Sequence, residues 1–350
     1  RPQMTLSPLR ALVPPRRTLA LLVAPERREA FHELTETGCS AALPFAWGLR
    51  VIDFQLANLM RAGIDEVIVL QPGSGQAALR NHIRQVWRPV FRRIACLGMH
   101  PSVLAGDPGG LSRFLALVEG VGPDELLLLS ADQVCETDIA DLLAFHRAGR
   151  NLVTLGAHDA EEPAGAQDPL KQWIAAMNGG RSGGIGMGGL DWHWFPPWMA
   201  QLPEVPSDLP RQAVMAATRE AGLQVHRTAD AGLYWRRVDG LDVFRVTWLD
   251  FICGPRLPCS LPIPPDHVGM QVPDASPRAN VRDSVIMPGA SVAERAFVSR
   301  TIIAPGAHVP DGMVIGQDAE VDARLFRRAP GGTTLVTAQM LAALQPEGAG

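Results

Sequence analysis

One stretch near the carboxyl end restricts the fold more than any other. An apolar β-branched residue returns there nearly every six positions: Ile286, Val292 and Val298, then, after a slip of one, Ile303, Val309 and Ile315. Gly289, Ala290, Ala296, Gly306 and Ala307 fill the gaps. Hexapeptide periodicity of this kind marks a parallel β-helix, in which each triangular coil turns one branched side chain inward per face. Roughly three coils fit, and so short a stack must cover its ends or dock on something. The tail over residues 321–344, with a helical stretch and the apolar run TTLVT, is expected to cap the last coil.

The amino-terminal part follows a different rule. Residues 18–24 (TLALLVA), 66–70 (EVIVL), 125–129 (ELLLL) and 152–157 are short apolar runs of the kind buried on both faces of a parallel sheet. Between them, residues 52–62, 75–87, 111–119 and 138–148 carry helical spacing. Alternating strands and helices predict a doubly wound, mostly parallel α/β sheet. Residues 253–277 are Pro-rich and aperiodic and read as a linker. The expected organisation is an α/β domain over 1–252, a linker over 253–278 and a short β-helix domain over 279–350.

Composition removes several classes of function. The net charge of −4, without a long basic run, gives no grip on nucleic acid. No apolar stretch reaches the roughly 18 residues of a membrane span, so no membrane partner is expected. Five scattered cysteines without a C-x-x-C pair fit a reducing cytoplasm. Of 32 basic residues only Lys171 is a lysine. The run GIGMGG at 184–189 satisfies G-x-G-x-x-G but opens no helix after a buried strand, so it reads as a turn and a thin strand. Trp192, His193, Trp194, Phe195 and Trp198 read as core or interface filling, and no histidine is proposed as a ligand.

Three segments carry a resemblance. Residues 50–64 (RVIDFQLANLMRAGI), 126–138 (LLLLSADQVCETD) and 309–341 (VPDGMVIGQDAEVDARLFRRAPGGTTLVTAQML), together with Tyr234, Trp235 and Arg236, are similar to motifs of bacterial ADP-glucose pyrophosphorylases, the glucose-1-phosphate adenylyltransferases of glycogen synthesis. The resemblance implies a Rossmann-like nucleotidyltransferase domain followed by a left-handed β-helix. It also implies ATP, glucose 1-phosphate and ADP-glucose as ligands, Mg²⁺ as cofactor, and an oligomeric, cytoplasmic protein.

Adenylyl transfer needs a glycine-rich loop around the triphosphate, cations to neutralise it and carboxylates to hold Mg²⁺. Where the family has G-G-x-G-x-R-L, this chain has Pro25, Glu26, Arg27, Arg28, Glu29, Ala30 and Phe31, so every glycine is gone and two carboxylates face the phosphates. The phosphate lysine of A-K-P is replaced at Cys39, Ser40 and Ala41. Asp132 falls on the first metal carboxylate, where it reads either as a relic ligand or as a turn residue and helix cap. The second, in D-V-G-T, is Arg237, followed by Val238, Asp239 and Gly240. Arg237 is expected either to replace the cation by pairing with Asp132 or to point to solvent; Asp239 reaches the site only if the backbone shifts.

By the same resemblance Gly106, Met187, Gly188, Tyr234, Trp235 and Arg237 line the substrate pocket, and Arg50 is the surviving basic residue of the effector region, whose other positions read Thr37, Gly38, Ala338 and Ala342. Asp53 reads as a structural hydrogen-bond acceptor. The expectation is a catalytically impaired relative, a non-catalytic or regulatory subunit paired in a homo- or hetero-oligomer with an active member. The alternatives are an active adenylyltransferase using Asp132 and Asp239 for Mg²⁺, and a carbohydrate- or nucleotide-binding module without catalysis.

Overall fold

The computed structural model of the protein describes residues 16–24, 28–35, 39–72, 77–99, 116–149, 152–157, 184–191, 222–227, 234–263 and 274–344, with 201, 216, 219 and 220. In chain order the first part runs β1 (Thr18–Val23), α1 (Arg28–Phe31), α2 (Asp53–Arg61), β2 (Glu66–Pro72), α3 (Ala77–His82), β3 (Arg93–Met99), β4 (Glu125–Ser130) and β5 (Gln133–Cys135). It continues with α4 (Ile139–Gly149), β6 (Val153–Ala157), β7 (Gly184–Asp191), β8 (Leu223–Arg227), β9 (Trp235–Arg237) and α5 (Leu241–Ile252).

Seven strands form one sheet in the order β3-β2-β1-β4-β7-β6-β8. All neighbours are parallel except β7, which runs antiparallel to both β4 and β6. The doubly wound, mostly parallel expectation therefore holds. Leu19 to Leu22 of β1 and Leu126 to Leu129 of β4 are buried in the middle of the sheet, which is why those segments are apolar at consecutive positions rather than alternating ones.

Some elements depart from the sequence reading. The glycine run at 184–189, read as a turn and a thin strand, is strand throughout and lies in an eight-residue strand, with Gly188 opposite Leu128 on one side and Leu155 on the other. Its glycines carry no side chains to show a strand period. β3 and β8, at the two edges of the sheet, and α5 were not anticipated. β3 is only partly buried, so its sequence RIACLGM lacks an unbroken apolar run. The helix expected over 75–87 tightens into α3 and then widens into a π-type turn over Ile83–Trp87. Of the helix expected at 111–119, residues 116–121 are helical and the rest lies outside the described residues.

The second part is a β-helix of three coils. One face stacks Asp274–Ala275, Ser291–Val292 and His308–Val309, and the next stacks Asn280–Arg282, Phe297–Ser299 and Val314–Ile315. The third stacks Val285–Ile286, Thr301–Ile303 and Thr334–Val336. Asp274–Ala275 falls within the segment read as linker. Val292, Val298, Ile303, Val309 and Ile315 are buried inside, as the hexapeptide period demands, and Ile286 is half-buried at the open end. Gly316 turns the last corner at φ +89°, where a Cβ would fall against the Ser299 carbonyl.

The tail does more than close the stack. TTLVT is not a cap: Thr334–Val336 forms the third side of the last coil after an excursion through helix α6 (Ala319–Leu325). Capping falls to helix α7 (Ala338–Ala342) and to Phe326 and Leu341, which join the apolar interior of the coils.

Alternate residues of the third face point the other way, toward the sheet domain. Val285, Ile302 and Leu335 share an apolar cluster with Phe31, Phe45, Phe244, Trp248 and Phe251. Polar contacts edge this seam. Asp242, in the first turn of α5, accepts from the Gly331 and Thr333 N–H groups at 2.7 and 3.0 Å, and Arg245 donates to Thr333 Oγ1 at 3.0 Å and the Asp283 carbonyl at 2.9 Å.

Arg327 of the β-helix also clasps Glu33 of the sheet domain, Nη2 to Oε1 at 2.6 Å, and the guanidinium holds that carboxyl below its ordinary range. Stability from the clasp is therefore complete above the carboxyl's unfolded pKa and lost as pH falls through the folded one. Because both side chains are partly exposed, Glu33→Gln is expected to cost only about 0.5–1 kcal/mol near neutrality. Denaturant titrations of wild type and variant should converge as pH falls below the carboxyl's lowered folded pKa. A difference that persisted in acid would show that the pair is not its source.

Candidate functional site

The site inferred from sequence lies at the carboxyl end of β4. Ala131 donates its N–H to the Val23 carbonyl at 2.8 Å, continuing the ladder with β1, and the chain then turns at Asp132. Asp132 is fully buried, and Ser130 Oγ donates to its Oδ1 at 2.5 Å. β5 then pairs antiparallel with β9 and sets Gln133 opposite Arg237. The Val238 N–H donates to the Asp132 carbonyl at 2.7 Å. These bonds fix the spacing between the two strands.

The consequence is that Arg237 stands beside Asp132. Its Nε lies 3.7 Å from Asp132 Oδ2, an ion-pair distance too long for a hydrogen bond. Nε itself is buried and makes no hydrogen bond among the described residues, while the side chain as a whole is 40% exposed. Of the two readings open from sequence, pairing rather than solvent is the one the geometry matches. Asp239 donates its N–H to the Arg237 carbonyl at 3.0 Å and is half-buried.

A divalent cation does not fit these residues. Among the described residues no group of three or more His, Cys, Asp or Glu is placed to hold a metal. An ion at Asp132 would face a guanidinium at close range, where like charges repel.

Behind the turn, a buried polar network ties β5 to α2. Gln55 Nε2 donates to Gln133 Oε1 at 3.0 Å, and Asn58 Nδ2 to the Cys135 carbonyl at 3.1 Å. Sequence reasoning passed over Ser130, Gln55, Asn58 and Gln133, although polar residues on the buried side of a helix are a readable signal.

Other residues singled out from sequence are engaged within the chain. The Tyr234 hydroxyl donates to Asp250 Oδ2 of α5 at 2.7 Å, and burial, then that carboxylate, pushes its phenol well above the usual value. Arg236 lies over the Tyr234 ring. Trp235 pairs with Cys135, and its Nε1 is buried with no partner among the described residues. Arg50 donates to the Ala42 carbonyl, and burial lowers its pKa. Its guanidinium is thus turned onto the Ser40–Ala42 helical turn that replaces the lysine motif.

Asp53 is fully buried and accepts from the Arg50 N–H, Trp87 Nε1 and His82 Nε2 at 2.7, 2.7 and 2.6 Å, the structural role read from sequence. Pro25, Glu26, Arg27, Thr37, Gly38, Gly106, Lys171 and the Trp192–Trp198 cluster lie outside the described residues. Arg28 belongs to α1, and Met187 and Gly188 belong to β7; only their backbone is described.

Known proteins with the same layout support the architecture. Residues 29–165 match the nucleotidyl transferase family, and residues 270–336 match the family described as GlmU-like, C-terminal hexapeptide. A glucose-1-phosphate adenylyltransferase of Teredinibacter turnerae is 25% identical over 95% of this chain and 97% of its own length. One from Mannheimia succiniciproducens is 24% identical over 93% of each. Along nearly its whole length the chain is thus similar to glucose-1-phosphate adenylyltransferases, at about a quarter identity. A further relative of that name, from Methylococcus capsulatus, is 30% identical over 149 residues, 40% of this chain and 35% of its own. The nucleotidyl transferase match includes Asp132 and stops before Arg237.

Proposed function

We propose that this chain belongs to the glucose-1-phosphate adenylyltransferase family, is catalytically impaired and serves α-glucan synthesis as a non-catalytic or regulatory partner of an active relative. One observation carries the reading: the Arg237 guanidinium stands 3.7 Å from Asp132, where adenylyl transfer needs a Mg²⁺ ion between the protein and the phosphates. The sequence of the nucleotide loop supports it, because proline and glutamate at 25 and 26 offer no open amide cradle. The chain then lacks both the metal seat and the phosphate seat, while the apolar seam that joins its two parts is intact.

Purified protein supplied with ATP, glucose 1-phosphate and Mg²⁺ is expected to release no more pyrophosphate than an Asp132→Ala control. Turnover clearly above that control would overturn the proposal in favour of an active enzyme that uses Asp132 and Asp239 for the metal. Calorimetry with ADP-glucose is the check on the third reading, a nucleotide- or carbohydrate-binding module. The partner role makes its own demand: added to an active relative, the protein should change that enzyme's rate or its saturation by glucose 1-phosphate.

A further inference from the structure

A cavity of about 620 Å³ opens at the amino ends of the strands, the opposite edge of the sheet from Asp132. The stretch from Glu125 to Asp132, along β4 and just past its end, separates the two by roughly 20 Å. Its walls carry Arg16, Arg17, Arg92 and Arg147, with Asp65 the one carboxylate among them, and apolar atoms of Ile64 and Leu143.

Beneath it lie two fully buried glutamates, Glu66 and Glu125, the first residues of β2 and β4. Both are already saturated. Glu66 accepts from Arg17 Nε and Nη2 at 2.6 and 2.7 Å and pairs with Arg92 Nη2 at 2.9 Å, which together hold its carboxyl below the ordinary range. Glu125 accepts from Arg147 and, at 2.5 Å, from Thr18 Oγ1.

We propose that this cavity binds a phosphoryl group, on a free phosphate or a small phosphate monoester. The buried carboxylates hold three guanidinium groups in place from below, so a ligand meets donors whose ordering cost has already been met. Arg16 adds a fourth: half exposed, it lies 4.0 Å from Glu125 and makes no side-chain hydrogen bond among the described residues. With nearby Arg93 and Asp124 counted, five guanidinium groups face four carboxylates, a surplus of one positive charge. Guanidinium forks match the oxygens of a phosphoryl group, and the space suits a small ligand. The site is independent of the Asp132 region and of the partner role proposed above.

Calorimetry of the full chain with inorganic phosphate, and separately with glycerol 3-phosphate, is the test. Saturable binding is expected at millimolar ligand or below, and Arg16→Gln should weaken it about tenfold without changing the melting temperature. The tighter of the two probes assigns the source of the phosphoryl group. Arg237→Gln and Arg278→Gln, which remove the same charge beside Asp132 and on the β-helix, should leave affinity unchanged. Absence of saturable heat with both probes, unaltered binding by Arg16→Gln, or an equal loss in either control variant would overturn the assignment.

Discussion

Alanine in place of Phe244 is expected to loosen the β-helix from the sheet domain and to cost about 3–5 kcal/mol of stability. Phe244 is fully buried on α5, with its ring centroid 6.1 Å from Phe31, 6.2 Å from Phe45 and 5.7 Å from Trp248, all three edge-on. The same cluster takes in Val285, Ile302 and Leu335 from all three coils. Truncation removes the ring from both sides of the seam at once, and the neighbouring aromatic side chains cannot collapse into the space without leaving one another. Thermal unfolding should shift down by roughly 6–15 °C. Calorimetry should also resolve separate transitions for the two parts once the seam is weakened. A loss below about 1 kcal/mol would mean that the seam does not depend on this ring.

Asp53→Ala should be comparably damaging for a different reason. The carboxylate is sealed from solvent and accepts three hydrogen bonds, one local from the Arg50 N–H and two that tie the start of α2 to His82 at the end of α3 and to Trp87 beyond it. Removing it leaves the Trp87 indole N–H buried without an acceptor, a loss of about 1–3 kcal/mol, and strips the half-buried Arg50 N–H of its partner as well. A total of about 3–5 kcal/mol is expected in urea unfolding. Combining the change with Trp87→Phe separates cavity from hydrogen bond. The double variant should lose less than the sum of the singles, because Phe leaves no N–H to satisfy. Strict additivity would assign the loss to packing alone.

Both predictions concern places where sequence and structure can be compared residue by residue. The apolar runs at 18–24 and 125–129 were legible because strands buried on both faces allow no polar position, and each lies in the middle of the sheet. The hexapeptide spacing was legible because a β-helix coil has only one inward residue per side to fill. β3 and β8 escaped because edge strands are half-exposed and need no such run, and β7 was read as a turn and only a thin strand because glycine has no side chain to betray a period. The triplet at 334–336 was mistaken for a cap because its partner, Thr301–Ile303, is distant in sequence. Only the three-dimensional stack shows that they are neighbours.

At the candidate site, the chain's own residues determined which groups are available: Asp132 but no second metal carboxylate at 237, proline and glutamate where a glycine cradle belongs, arginine almost throughout in place of lysine. They left open whether Arg237 pairs with Asp132 or points to solvent. That was decided by the β5–β9 ladder and by the Val238 N–H on the Asp132 carbonyl, which fix how closely the two strands approach. The arginine-lined cavity was equally invisible, since Arg16, Arg92 and Arg147 stand far apart along the chain. Residue identity is local and can be read in order. Charge pairing depends on distances of a few ångströms, and only the packed backbone sets them.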